Sequence, residues 1–128
     1  MAEIYVGGPV LGREGELPEW VRDAYGQLAR AGLRLPYAEP ELERSRPQAF
    51  FQQILTRIRE SGAAIVIFTG GDVSGAIEAT MASSQNKPVL LMTENQRSVP
   101  RLLIGLPLLR VVEANDQEAV LTFLREYR

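Results

Sequence analysis

The chain has 128 residues, 45 % hydrophobic and 23 % charged, with a formal net charge of −2. These values suit one globular domain, residues 1–128, that buries a core without staples. The absence of cysteine and histidine removes disulfides, thiolate chemistry, the commonest metal ligand and the commonest general base. Any chemistry then rests on carboxylates, hydroxyls, Lys or Arg. The charge balance gives no footprint for nucleic acid. No segment has signal-peptide form or membrane-spanning length, so cytoplasmic residence is the default expectation.

Ile4, Tyr5 and Val6 form a short β-rich run closed by Gly7, Gly8 and Pro9, a strand ending in a tight turn. A loop follows through Arg13, and Pro18 stands where a helix begins. Trp20, Val21, Ala24, Leu28 and Ala31 recur at helical spacing, with Gly32 as the stop. Leu33, Arg34 and Leu35 read as a second strand, ended by Pro36. The acidic stretch with Glu39, Glu41 and Glu43 reads as a solvated loop. Phe50, Phe51, Ile54, Leu55 and Ile58 mark a second amphipathic helix ending near Gly62.

The clearest strand runs from Ala64 to Phe68. It is apolar without alternation, which implies burial on both faces, as in parallel sheets. After Thr69, Gly70, Gly71 and Asp72, a helix starts near Ser74. Val89 to Met92 is a further strand, Val99 to Ile104 a short helix, and Leu108 to Val112 a fifth strand. Asn115 or Asp116 caps a last helix that turns Ala119, Val120, Phe123 and Leu124 inward. Strands alternating with helices give an α/β fold: a flavodoxin- or Rossmann-like sheet of five parallel strands flanked by helices, in the order 2-1-3-4-5. Its ligand crevice lies at the carboxyl ends of strands one and three.

Two glycine-rich turns meet at that crevice. In one, Gly71, Asp72, Ser74 and Gly75 lead into a helix whose free N–H groups suit an anion. Glu78 lies about one turn inside, able to project its carboxylate toward the crevice. Equally, Asp72 or Ser74 is a plain N-cap and Glu78 a favourable first-turn acid. In the other turn, Tyr5 is either a core strand residue or a hydroxyl that reaches the crevice. Gly7, Gly8 and Pro9 either make the turn or let a ligand approach the backbone. Arg13 is either a solvated charge or a phosphate clamp.

These motifs, in this order, resemble those of the nucleoside 2-deoxyribosyltransferase superfamily, which includes the 2′-deoxynucleoside 5′-phosphate N-hydrolases. The run from Ile4 to Pro9 is similar to the family's I-Y-x-x-G-P opening, and Asp72 to Glu78 to its D-S-G-T-A-x-E helix entry. Lys87, Pro88 and Val89 are similar to the G-K-P-V that follows. The resemblance implies Glu78 as nucleophile at the anomeric carbon, Asp72 as the residue that holds or protonates the departing base, and Tyr5 as the group that orients Glu78. It implies Gly7, Gly8, Pro9, Arg13, Gly71, Ser74 and Gly75 around the substrate, a nucleoside or nucleotide. It further implies no metal, no cofactor, and a homodimer or higher homo-oligomer.

The chemistry suits these residue types. N-glycosidic cleavage passes through an oxocarbenium-like sugar, by analogy with retaining glycosidases. A carboxylate captures or stabilises that cation, and an acid assists the leaving base. The chain also departs from the family pattern. Ile54, Gly62 and Thr69 stand where members usually carry Asp, and Thr80 where they carry Gly. Ser98 lies two positions from the expected site of a neighbour-contributed Ser. Two functions follow: an N-glycosidase or deoxyribosyltransferase, or a catalytically degenerate nucleotide-sensing domain on the same fold. A TIR-like NAD-cleaving domain is a distant third, and a phospho-receiver fits poorly because no acidic pair follows the first strand.

Overall fold

In the computed structural model, which describes residues 3–9, 17–36, 46–70 and 73–128, β1 (Glu3–Gly7) runs into the turn at Gly8 and Pro9. Arg13, the acidic stretch with Glu39, Glu41 and Glu43, Gly71 and Asp72 lie outside the described residues. The elements that follow are α1 (Glu19–Arg30), α2 (Pro47–Glu60), β2 (Ser61–Phe68), α3 (Val73–Ser84) and β3 (Val89–Thr93). A 3₁₀ turn (Gln96–Ser98), α4 (Arg101–Ile104), β4 (Leu109–Glu113) and α5 (Gln117–Tyr127) complete the chain. No described helix is long and apolar enough to cross a membrane.

The helix ends follow local rules. Pro47 opens α2 at its first position, where its missing N–H costs nothing. Asp116 accepts the Ala119 N–H at 3.1 Å and caps α5. Gly32 follows α1 with φ +85°, and its N–H and that of Leu33 bond back to Ala29 and Leu28. This left-handed stop is the one its position predicts. The amphipathic face of α2 is narrower than the apolar spacing suggests. Ile54 and Ile58 are buried, whereas Phe51 is 48 % exposed.

The strands pair in parallel in the order β1-β2-β3-β4. The sheet therefore has four strands among the described residues, not five. Residues 33–35, read above as a strand, do not join it. Three residues between a left-handed glycine and a proline without an N–H leave too few donors for a ladder. Leu35 instead buries its side chain in the core, and exposed Arg34 pairs with Glu3 at 3.6 Å. β1 and β4 are the sheet's edges.

Both faces of the sheet are covered. Ile4, Val6, Ile65, Ile67, Leu90 and Met92 pack against α1 and α5 through Val21, Tyr25, Leu28, Val120 and Phe123. The alternate residues Tyr5, Ala64, Val66, Phe68, Val89 and Leu91 pack against α2, α3 and α4 through Ile54, Ile58, Ala79, Ala82 and Leu103. Two-sided burial is why β2 and β3 are apolar without a break. It places the carboxyl ends of β1 and β2 side by side, with the start of α3 beyond them.

Candidate functional site

At those strand ends a carboxylate is fixed by two donors. The Tyr5 hydroxyl donates to Glu78 Oε2, and the Gly8 N–H donates to Glu78 Oε1 at 3.2 Å. Tyr5 points to the α3 face of the sheet by the strand's alternation, so its hydroxyl meets a side chain from the second turn of α3. Glu78 is half-buried. Burial pushes the Tyr5 phenol far above its ordinary value, the Glu78 charge and hydrogen bond push it further, and the Arg57 charge opposes them. Tyr5 is thus a neutral donor throughout the physiological range.

The glycines here are set by space. A β-carbon on Gly7 would stand 2.8 Å from Glu78 Cδ and 2.9 Å from Tyr5 Cε2, inside the pair itself. Gly8 has φ +136°, and a β-carbon there would meet the Ile67 carbonyl and the Tyr25 hydroxyl, both at 2.8 Å. Gly75 is buried, and a β-carbon would lie 3.1 Å from the Ile67 carbonyl, so this glycine lets α3 sit close on β2. Tyr25 donates to the Pro9 carbonyl at 2.7 Å and ties the turn after β1 to α1.

The arrangement joins Tyr5, Gly7, Gly8 and Glu78 into one cluster, with Pro9 beside it. Ser74 is exposed at the start of α3. Ile54 is 7 % exposed and belongs to the core beneath Tyr5. Thr80 turns its hydroxyl back on the Ala76 carbonyl at 2.8 Å. Ser98 is exposed in the 3₁₀ turn, donating to the Asn95 carbonyl at 2.7 Å. Three groups escaped the sequence reading: the Gly8 N–H as a carboxylate donor, the Tyr25 clamp and Arg57. Tyr25 sits one position after Ala24 on the inward side of α1, where helical spacing offered a signal.

The fold has a solved counterpart. The structure of a Clostridium botulinum CMP N-glycosidase, BcmB, is similar over 96 % of this chain and 99 % of that one, with a TM-score of 0.61 and 16 % sequence identity. No family model matches the sequence. No curated protein matches it. The likeness is one of fold: a parallel sheet flanked by helices, shared nearly end to end.

Chemically, the cluster holds a carboxylate whose two oxygens each accept a hydrogen bond, one from the Tyr5 hydroxyl and the other from the Gly8 N–H. Both of these donors are uncharged, so they orient the group without adding a counter-charge of their own. The carboxylate is suited to face a developing positive charge or to attack an electrophilic carbon. Among the described residues no three acidic side chains converge as a metal site would require.

Proposed function

We propose that this protein cleaves or transfers the N-glycosidic bond of a nucleoside or nucleoside 5′-monophosphate, with Glu78 as the nucleophile. The observation that carries this reading is the double hold on Glu78 by the Tyr5 hydroxyl and the Gly8 N–H at the carboxyl ends of β1 and β2. The fold shared with a CMP N-glycosidase supports it. In this reading Tyr5 orients the carboxylate and Asp72 assists the leaving base. Gly7, Gly8, Pro9, Arg13, Gly71, Ser74 and Gly75 border the substrate. The active form is a homo-oligomer.

A second reading rests on Ile54. An apolar side chain sunk in the core replaces the acid expected at that position, which favours a domain that binds a nucleotide without cleaving it. One experiment separates the two. A panel of nucleosides and nucleotides that includes CMP is incubated with the protein, and free base is followed by chromatography. The N-glycosidase reading expects base release that Glu78→Gln and Glu78→Ala abolish while the thermal melt is retained. Binding of a panel member without release supports the degenerate domain. Full activity in a folded Glu78 variant ends the nucleophile assignment.

A further inference from the structure

A cavity of about 420 Å³ runs along β1, between the polar side of α2 and the 34–36 segment. Glu78 is not on its wall, but Tyr5 is. Tyr5 therefore touches the cavity while its hydroxyl reaches the carboxylate. From α2, Ile54 and Arg57 line the same cavity one turn apart. Ile54 is buried and Arg57 is half-buried. The Ser61 hydroxyl donates to the Arg57 carbonyl at 2.7 Å and ties down the last turn of α2.

The charges around Tyr5 come from each neighbouring element. β1 brings Glu3, paired at 3.6 Å with Arg34 of the 34–36 segment, both well exposed. α2 brings Arg57 and, further along the cavity, exposed Glu60. α3 brings Glu78, and α1 brings the phenol of Tyr25. Among the cations of the described residues, Arg57 is the one whose field acts on Tyr5, in the sense opposite to Glu78.

We propose that Arg57 is a positioning residue for the Tyr5–Glu78 pair, its guanidinium supplying positive charge from the α2 side of the cavity that Tyr5 lines. The half-buried pair carries a net negative charge where solvent screens it poorly. A cation nearby favours the charged form of Glu78 over the protonated one. The Arg57 side chain joins an apolar stem to a charged head, so a substitution can keep the stem on the cavity wall and remove the charge. The inference rests on Glu78 being the working carboxylate.

The test compares Arg57→Met, which keeps the stem and loses the charge, with Arg57→Lys, which keeps the charge. Two readouts are taken: the pH profile of base release, and the titration of the Glu78 carboxyl carbon by NMR, assigned from its absence in Glu78→Gln. In Arg57→Met, the acid limb of the profile and the carboxyl midpoint both move up by about one pH unit, with kcat reduced and KM little changed. In Arg57→Lys both stay at the wild-type position. A folded Arg57→Met protein with an unchanged carboxyl midpoint overturns the proposal. So does an Arg57→Lys midpoint displaced by a full unit, which also decides the matter if Arg57→Met does not fold. The carboxyl titration needs no substrate. A shifted midpoint without base release therefore counts against the proposed function and upholds the role of Arg57.

Discussion

Glu78 gains its orientation from groups distant in sequence, and each makes a separable contribution. Removing the Tyr5 hydroxyl takes away one of these donors and leaves the Gly8 N–H in place. Tyr5→Phe is expected to lower base release by on the order of 10²-fold, as loss of one oriented donor does, and to cost about 1–2 kcal/mol of stability. The same substitution changes the alkaline response. The Tyr5 phenol has a raised value in the fold, chiefly through burial, so its stabilisation is complete below the unfolded value of about 10 and is lost as pH rises above it. Denaturant melts between pH 8 and pH 11 should show the wild type losing about 1.4 kcal/mol per pH unit more than Tyr5→Phe above pH 10. Parallel curves for the two proteins would show that Tyr5 ionises freely. At Gly7, alanine would place its β-carbon within the pair. Gly7→Ala should thus lose activity as fully as a Glu78 variant, and a folded, active Gly7→Ala protein would mean that the pair does not need its observed geometry.

Among the elements, legibility in the sequence followed burial. β2 and β3 read clearly because both of their faces are covered, which leaves unbroken apolar runs. The 33–35 segment has strand composition, but pairing is a tertiary fact. The glycine stop before it and Pro36 after it leave too little backbone to pair. Tyr5 and Glu78 are separated by 73 positions, so only the order of motifs, not periodicity, could nominate them together. Arg57 was invisible because an amphipathic reading of α2 attends to its apolar positions and treats its cations as solvated. The turn after β1 shows how element packing constrains one residue. Gly8 joins a φ of +136° to close approach by the Ile67 carbonyl and the Tyr25 hydroxyl. Gly8→Ala must strain the backbone and push apart β1, β2 and α1 at once. We expect a loss of roughly 2–4 kcal/mol and a fall in Tm on the order of 10 °C. A melt within about 2 °C of wild type would show that the turn relaxes without cost.

At the scale of the molecule, the surface is unevenly finished. On α3, Val73 is 71 % and Ile77 50 % exposed, and on α4 Leu102 is 91 % and Ile104 50 % exposed. These two helices pack against each other on the same side of the sheet. The outward side chains of α3 are Val73, Ser74, Ile77, Thr80 and Ser84, and the helix's one charged residue, Glu78, is turned to Tyr5. In a two-fold interface residue i of one copy meets residue j of the other, so only a charge near the axis is set against its own copy and repels it. An uncharged helix face with protruding apolar side chains avoids that repulsion, and apolar surface gathered in this way marks association. We therefore expect a second copy of the chain to cover α3 and α4, next to the helix start that borders the site. Light scattering at micromolar concentration should give about twice the chain mass of 14.2 kDa, or a higher multiple. Ile77→Glu should dissociate the assembly by placing a carboxylate from each copy in the apolar contact, and base release should fall with it if the neighbour walls the crevice. Leu121→Glu, an exposed position on α5 across the sheet, should leave the assembly intact. A monomer mass at every concentration would mean that each chain acts alone, and an assembly that Ile77→Glu does not disturb would mean that another surface joins the copies while α3 and α4 meet solvent.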